Sequence, residues 1–87
     1  MKNIVFTANA WTDFILWAKT DKKIFDKISE LMQEASRTPF QGKGNPEPLK
    51  HQLSAYWSRR ITSEHRLIYT VTGDDMQIIS CKYHYQD

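Results

Sequence analysis

The last third of the chain contains three short stretches in which polar and apolar side chains tend to alternate. They are YWSRRIT at residues 56–62, RLIYTVT at 66–72 and MQIISCKY at 76–83. A period of two, with β-branched and aromatic residues, is typical of β-strands. The residues between them, 62–65 and 73–75, are few and turn-forming. The pattern therefore predicts three consecutive strands in an antiparallel meander.

The first third of the chain has a different period. Residues 2–7 predict a short strand, and Thr7 could cap the helix that follows it. Apolar residues recur at helical spacing in two successive segments, the second capped by Thr20 or Asp21. The stripe of the first helix comprises Trp11, Phe14, Ile15 and Ala18, and that of the second comprises Ile24, Phe25, Ile28, Leu31, Met32 and Ala35.

The resulting order is β-α-α, loop, β-β-β, which favours an α+β fold. One sheet would carry a two-helix hairpin on one face and leave the other face largely open to a ligand. The loop at residues 37–48 holds three prolines and two glycines, which exclude a continuous helix or a central strand. A loop this long in an 87-residue chain is usually functional or disordered. We expect residues 1–87 to form one domain.

Composition narrows the class of protein. Cys81 is the only cysteine, and no stretch has the length of a signal peptide core or a membrane span, so we expect a cytoplasmic protein. Six basic and two acidic residues lie between residues 37 and 66, although the whole chain has a net charge of only +2. This basic middle suggests a polyanionic partner, or else a solvated basic surface.

Several side chains could together cleave RNA without a metal. That reaction needs a base for the ribose 2′-hydroxyl, a cation for the phosphorane and an acid for the departing 5′-oxygen. The chain offers Glu47, Lys50, Arg66, His84 and Tyr85 for these tasks. Each also has a simpler interpretation: Glu47 as an exposed loop carboxylate, Lys50 as a solvated cation, and the Tyr-His-Tyr ending as a strand end over the core.

The arginines at 59, 60 and 66 lie on two neighbouring strands and could grip a phosphate, or simply decorate an exposed strand. Arg59 and Arg60 must point to opposite faces, so at most one of them shares a face with Arg66. A metal site is not predicted, because His51, His65, His84 and Cys81 lack the paired spacing of zinc ligands. No cofactor is expected either.

Longer strings of the sequence carry a resemblance to a known family. RTPFQGKGNPEPLK at 37–50, WSRRIT at 57–62, EHRLIY at 64–69 and CKYHY at 81–85 resemble the YoeB/Txe-type toxins of the RelE/ParE superfamily. The early DKKI at 21–24 is also similar, and the similarity covers nearly the whole chain. Residues 86–87 extend past the usual ending of that family.

The resemblance implies a RelE-like fold and the toxin of a type II toxin–antitoxin pair. Such a toxin enters the ribosomal A site and cuts mRNA, leaving a 2′,3′-cyclic phosphate and a 5′-hydroxyl. Carried over by position, Glu47 would be the general base, Arg66 the transition-state cation and His84 the general acid. Tyr85 would position the substrate or leaving group, and Lys50 would support the phosphate. Weaker candidates for RNA contact are Arg60, Lys43, Arg59 and His51.

The resemblance also implies a homodimer, inhibited by an antitoxin of the YefM/Phd type, and no membrane association. An alternative remains within the same superfamily. The chain could be a non-catalytic binder that inhibits a macromolecule such as gyrase or the ribosome. Such a binder would not need Glu47, Arg66 and His84 together.

Overall fold

The computed structural model describes residues 1–50 and 55–83. Its elements follow the predicted α+β order. They are β1 (Asn3–Phe6), α1 (Ala8–Thr20), α2 (Lys22–Arg37), β2 (Glu47–Pro48), β3 (Tyr56–Arg60), β4 (Arg66–Thr72) and β5 (Asp75–Ser80). The first and third strands of the meander are shorter than the sequence predicted, ending at Arg60 and Ser80.

Both helices begin where a side chain can accept a hydrogen bond from the first turn. The Thr7 hydroxyl accepts from the Ala10 amide at 3.1 Å, and the Asp21 carboxylate accepts from the Ile24 amide at 3.2 Å. These bonds satisfy amide groups that have no partner within the helix. Thr7 is thus confirmed as a cap, and Asp21 rather than Thr20 caps the second helix.

Five strands form one sheet in the order β1-β5-β4-β3-β2. Strands β3, β4 and β5 pair antiparallel, which confirms the predicted meander. Strand β1 pairs in parallel with β5 at one edge, and β2 pairs antiparallel with β3 at the other. Strand β2 was not predicted, because its residues fall within the predicted loop at 37–48. Pro48 is tolerated there because an edge strand has an amide side that needs no partner.

The helices pack on one face of the sheet, which we call the helix face; on β3 and β4 it carries Trp57, Arg59, Leu67 and Tyr69. The buried core combines this face with residues of α2 that form the predicted stripe. Those buried stripe residues are Ile28, Leu31, Met32 and Ala35. On α1, Trp17 is buried, whereas Trp11 of the predicted stripe is 51% exposed. Among the described residues, no helix is long and apolar enough to cross a membrane.

The opposite face, which we call the outer face, is defined on β3 and β4 by Ser58, Arg60 and Arg66. The register sets this assignment. Arg60 lies directly opposite Arg66, and Glu47 of β2 lies directly opposite Ser58. Residues directly opposite in an antiparallel pair project to the same side. Glu47, Arg60 and Arg66 therefore share the outer face.

Candidate active site

Glu47 lies at the sheet edge, on the outer face, in a short and stiff segment. Prolines on both sides of it restrict the backbone. The amide nitrogen of the Asn45 side chain donates a hydrogen bond of 2.8 Å to Glu47 Oε1. Asn45 has a φ of 52°, in the left-handed region that asparagine tolerates better than most residues. The carboxylate is exposed but oriented by Asn45, and no ion pair to it occurs among the described residues.

Arg60 and Arg66 bring two positively charged residues to neighbouring positions of the outer face. They are directly opposite partners in the β3–β4 pair, a position in which like charges repel. Burial, and then the charge of Arg60, lower the pKa of Arg66 from its ordinary value, while the charge of Glu47 opposes that shift. Both arginines stay protonated nonetheless. A bound anion would therefore relieve the repulsion between their charges.

The Arg66 guanidinium is held in place by the β3–β4 turn. Its Nη1 donates to the carbonyl oxygens of Thr62 at 2.8 Å and His65 at 3.2 Å. The turn itself is closed by the Thr62 hydroxyl, which accepts from the amides of Glu64 and His65 at 3.1 Å each. Within the described part of the chain, Nε and Nη2 of Arg66 donate no hydrogen bond.

The chain after β5 returns to this turn. The Tyr83 amide donates to His65 Nδ1 at 2.8 Å, and the Arg66 amide donates to the Tyr83 carbonyl at 3.2 Å. Upstream, the Trp17 indole N–H donates to the Cys81 carbonyl at 2.9 Å. Tyr83 therefore lies beside the first residue of β4. His84 and Tyr85, predicted as acid and positioning residue, lie outside the described residues, as does His51.

Arg59 is a correction to the predicted RNA contacts. It is fully buried on the helix face, and all five of its N–H donors are already used. Its Nε donates to the Tyr69 hydroxyl, and its Nη1 and Nη2 bond Glu34 and three backbone carbonyls between residues 38 and 43. Side chains alternate along β3, so Arg59 lies on the helix face because Arg60 lies on the outer face.

The two predicted lysines are placed differently from each other. The Lys43 ammonium forms an ion pair with Glu30 of α2, and that contact raises the pKa of Lys43 above its ordinary value. Lys43 thus extends toward α2, and the structure does not bring it together with Glu47 and Arg66. Lys50 is exposed just beyond β2 and forms no ion pair within the part of the chain described.

Two residues near the site were not predicted in these roles. Asn45 orients Glu47, and the only sequence signal for it was an asparagine between glycine and proline, typical of a turn. The sequence pattern suggested no role for His65 other than a possible zinc ligand, although His65 accepts a hydrogen bond from the amide of Tyr83, the residue before His84. In residues 1–50 and 55–83, no group of three or more histidine, cysteine or acidic side chains is placed to hold a metal.

Comparison with known proteins places this arrangement in a family. Residues 6–85 match the model of the YoeB-like toxin of bacterial type II toxin–antitoxin systems. The toxin YoeB of Escherichia coli K12 is 55% identical over 82 residues, which cover 94% of this chain and 98% of that protein. A solved YoeB/ParE toxin from Agrobacterium tumefaciens superposes with a TM-score of 0.92 at 46% identity, covering 95% of this chain and 99% of that one.

The Staphylococcus aureus YoeB dimer gives a TM-score of 0.90 at 46% identity, covering 97% of this chain and 98% of that one. A YoeB from Staphylococcus aureus has also been solved in a heterotetrameric YoeB–YefM toxin–antitoxin complex. The five-stranded sheet with its helical pair is the RelE-like toxin fold. Within that class, the chain belongs to the YoeB-like toxins of bacterial type II toxin–antitoxin systems.

Proposed function

We propose that this toxin is a metal-independent endoribonuclease that cuts mRNA in the ribosomal A site and thereby inhibits translation. One observation carries the proposal: an oriented carboxylate, Glu47, shares the outer face with the opposed arginines Arg60 and Arg66. A base and a cation for phosphoryl transfer thus lie on one surface. The charge of Glu47 also acts on Arg66, where it partly opposes the lowering of that residue's pKa by burial and by the charge of Arg60.

Glu47 is the general base in this mechanism. Its carboxylate removes the proton from a ribose 2′-hydroxyl, and the 2′-oxygen then forms a bond to the adjacent phosphorus. The exposure of Glu47 permits this contact, and the hydrogen bond from Asn45 fixes which oxygen is free to act. The flanking prolines limit the loss of this geometry through backbone motion.

Arg66 supplies the cation that stabilises the phosphorane, with Arg60 as its neighbour. Charge accumulates on the non-bridging oxygens as the 2′-oxygen attacks, and a guanidinium can donate two parallel hydrogen bonds to them. The repulsion between Arg60 and Arg66 is relieved most when that charge is greatest. The turn carbonyls of Thr62 and His65 hold Arg66 in place without consuming Nε or Nη2.

His84 completes the reaction as general acid, with Tyr85 positioning the leaving group and Lys50 supporting the phosphate. The P–O5′ bond breaks as His84 donates its proton to the 5′-oxygen, which leaves a 2′,3′-cyclic phosphate and a 5′-hydroxyl. These roles follow from the family resemblance. They are supported by the position of Tyr83, the residue before His84, which is hydrogen-bonded to the Arg66 amide.

The test is primer extension on ribosomes programmed with a defined mRNA and incubated with purified toxin. Wild type should cut within translated codons, and the products should carry a 5′-hydroxyl and a cyclic phosphate. Glu47→Gln and His84→Ala should each lower the cleavage rate by about 10²- to 10⁴-fold, because each removes a proton-transfer group. Arg66→Gln should lower it by about 10²- to 10³-fold.

Matched controls are available on surfaces away from the site. Asp74→Asn removes an exposed negative charge from the β4–β5 turn, and Arg37→Gln removes an exposed positive charge at the end of α2. Both should cut at the wild-type rate. Full cleavage by both Glu47→Gln and His84→Ala would refute the assigned roles. Growth arrest without any cleavage would instead favour the non-catalytic binder, to be tested next by supercoiling and translation assays.

We also propose that the toxin is inhibited by a YefM/Phd-type antitoxin, forms a homodimer and acts in the cytoplasm, where its ribosomal target lies. Support comes from Staphylococcus aureus, from which a YoeB dimer and a YoeB–YefM complex have been solved. Co-purification of this chain with the product of a neighbouring reading frame, followed by light scattering with and without it, tests both assemblies.

A further inference from the structure

His65 is a nearly buried side chain that the mechanism above does not use. It is 9% exposed and lies in the β3–β4 turn, one residue before Arg66. Its ring packs edge-on against Trp17, with centroids 4.9 Å apart, and tilted against Tyr83 at 5.2 Å. A buried histidine between two aromatic rings could be explained by packing alone. Its hydrogen bonds indicate a more specific role.

The His65 ring accepts a hydrogen bond at Nδ1 from the Tyr83 amide at 2.8 Å. An Nδ1 that accepts a hydrogen bond does not itself carry a hydrogen, so the bond to Tyr83 requires the ring hydrogen to lie on Nε2. Tyr83 has a φ of 61°, a left-handed conformation that a tyrosine rarely adopts. The bond to His65 offsets the cost of that conformation, which sets the direction of the chain just before His84.

The same residue also holds Arg66 through its backbone. The His65 carbonyl accepts from Arg66 Nη1 at 3.2 Å and from the amides of Ile61 and Thr62 at 3.0 and 3.2 Å. The side chain of His65 therefore bonds the C-terminal segment, while its carbonyl bonds the side chain of Arg66. The Arg66 amide closes the connection by donating to the Tyr83 carbonyl.

We propose that His65 is a positioning residue: its Nδ1 bond to the Tyr83 amide holds Tyr83 beside Arg66, and so fixes the point from which the chain continues to His84. The inference rests on the proposed ribonuclease function and deepens it. His65 does not contact the RNA. Its effect belongs to the chemical step, so the cleavage rate at saturating toxin should change, and the affinity for the ribosome should not.

The experiment compares two substitutions at this position. His65→Phe keeps an aromatic ring between Trp17 and Tyr83 but removes the acceptor, and should lower the saturating cleavage rate by up to about 100-fold. His65→Asn loses ring packing but places an amide oxygen near the site of Nδ1, and should recover at least a tenth of the wild-type rate. Met32→Ala, a buried change in α2 away from the site, controls for lost stability and should cut at the wild-type rate per folded molecule.

Hydrogen exchange of the Tyr83 amide, followed by NMR, gives a readout that does not depend on cleavage. It should be protected in wild type and in His65→Asn, and exposed in His65→Phe. Equal cleavage by wild type and His65→Phe would overturn the inference while leaving the ribonuclease in place. So would a low rate in His65→Asn with the amide still protected.

If wild type does not cut mRNA, the proposed function fails, and the exchange data still decide whether His65 fixes Tyr83. If His65→Phe does not fold, hydrogen exchange of the Tyr83 amide in the wild-type protein decides the inference. A Tyr83 amide that exchanges as fast as the exposed Gly73 amide overturns the inference, and a protected one supports it.

Discussion

Replacing Arg59 by alanine should remove much of the protein's free energy of unfolding without changing any side chain of the outer face. Arg59 is fully buried, and its guanidinium donates five hydrogen bonds. Three go to the backbone of residues 38–43, so Arg59 fastens the loop that leads to Glu47. One goes to Glu34 at 2.8 Å, and one goes to the Tyr69 hydroxyl at 3.0 Å.

The magnitude follows from what the substitution leaves behind. Removing one member of a buried ion pair typically costs about 3–5 kcal/mol, because the other charge loses its compensation. The Glu34 side chain is 29% exposed and keeps a hydrogen bond from the Lys43 amide, so the lower end applies. The loss of charged donors to the loop carbonyls and Tyr69 adds to it. We expect a loss of about 3–4 kcal/mol, which lowers the Tm of a domain this small by roughly 12–30 °C.

Arg60→Ala is the matched control, since it removes the same side chain from the next position of the same strand. Arg60 is exposed on the outer face, so its loss should leave the free energy of unfolding, measured in urea, within about 0.5 kcal/mol of wild type. Its cleavage rate should fall, while folded Arg59→Ala at low temperature should bind ribosomes normally. Equal unfolding curves for the two variants would refute the assignment of Arg59 to the fold.

Three further predictions concern the loop and the core. Asn45→Gly should tolerate the positive φ but lose the bond to Glu47, and so slow single-turnover cleavage about fivefold at unchanged Tm. Gly44→Ala should cost about 1–3 kcal/mol in urea unfolding, because φ is +83° and the added Cβ would meet the Arg60 carbonyl at 3.1 Å. Burial raises the pKa of Cys81 to about 12, so the folded state keeps a proton that the unfolded state releases near its ordinary pKa. Stability should therefore fall as the pH rises through that interval, and Cys81→Ala should make the fall shallower in unfolding measured at alkaline pH.

Local patterns were sufficient to predict most of the fold. The period of two in residues 56–83 gave the meander, and the apolar stripe of α2 gave the core contacts of Ile28 and Leu31. The position of β1 was beyond those patterns. Its pairing with β5 joins Asn3 to Asp75, residues far apart in sequence, and parallel edge pairing leaves no turn signal between its partners.

The site was predictable as a set of residue types but not as an arrangement. Alternation required Arg59 and Arg60 to face opposite ways, yet only the register against β4 decides which one joins Arg66. The prolines on either side of Glu47 are unfavourable in a strand, so β2 was not predicted. It is β2 that places the Glu47 carboxylate on the outer face. His65 acts through a contact with Tyr83, which no short motif encodes.

Strand β3 explains how stability and activity can be separated in so small a chain. Arg59 turns to the helix face, where Glu34 balances its charge, four neutral oxygens accept its other hydrogen bonds, and the loop before Glu47 depends on it. Arg60 turns to the outer face, where its closest strand partner is another arginine rather than an acid. A guanidinium whose donors are all bonded stabilises the fold and has no donor left for a substrate. A guanidinium that faces another positive charge lowers stability until an anion binds to it. Neutralising Arg60 should therefore weaken the toxin while leaving the fold unchanged or slightly more stable. Neutralising Arg59 should instead destabilise the fold, and with it the loop that leads to Glu47.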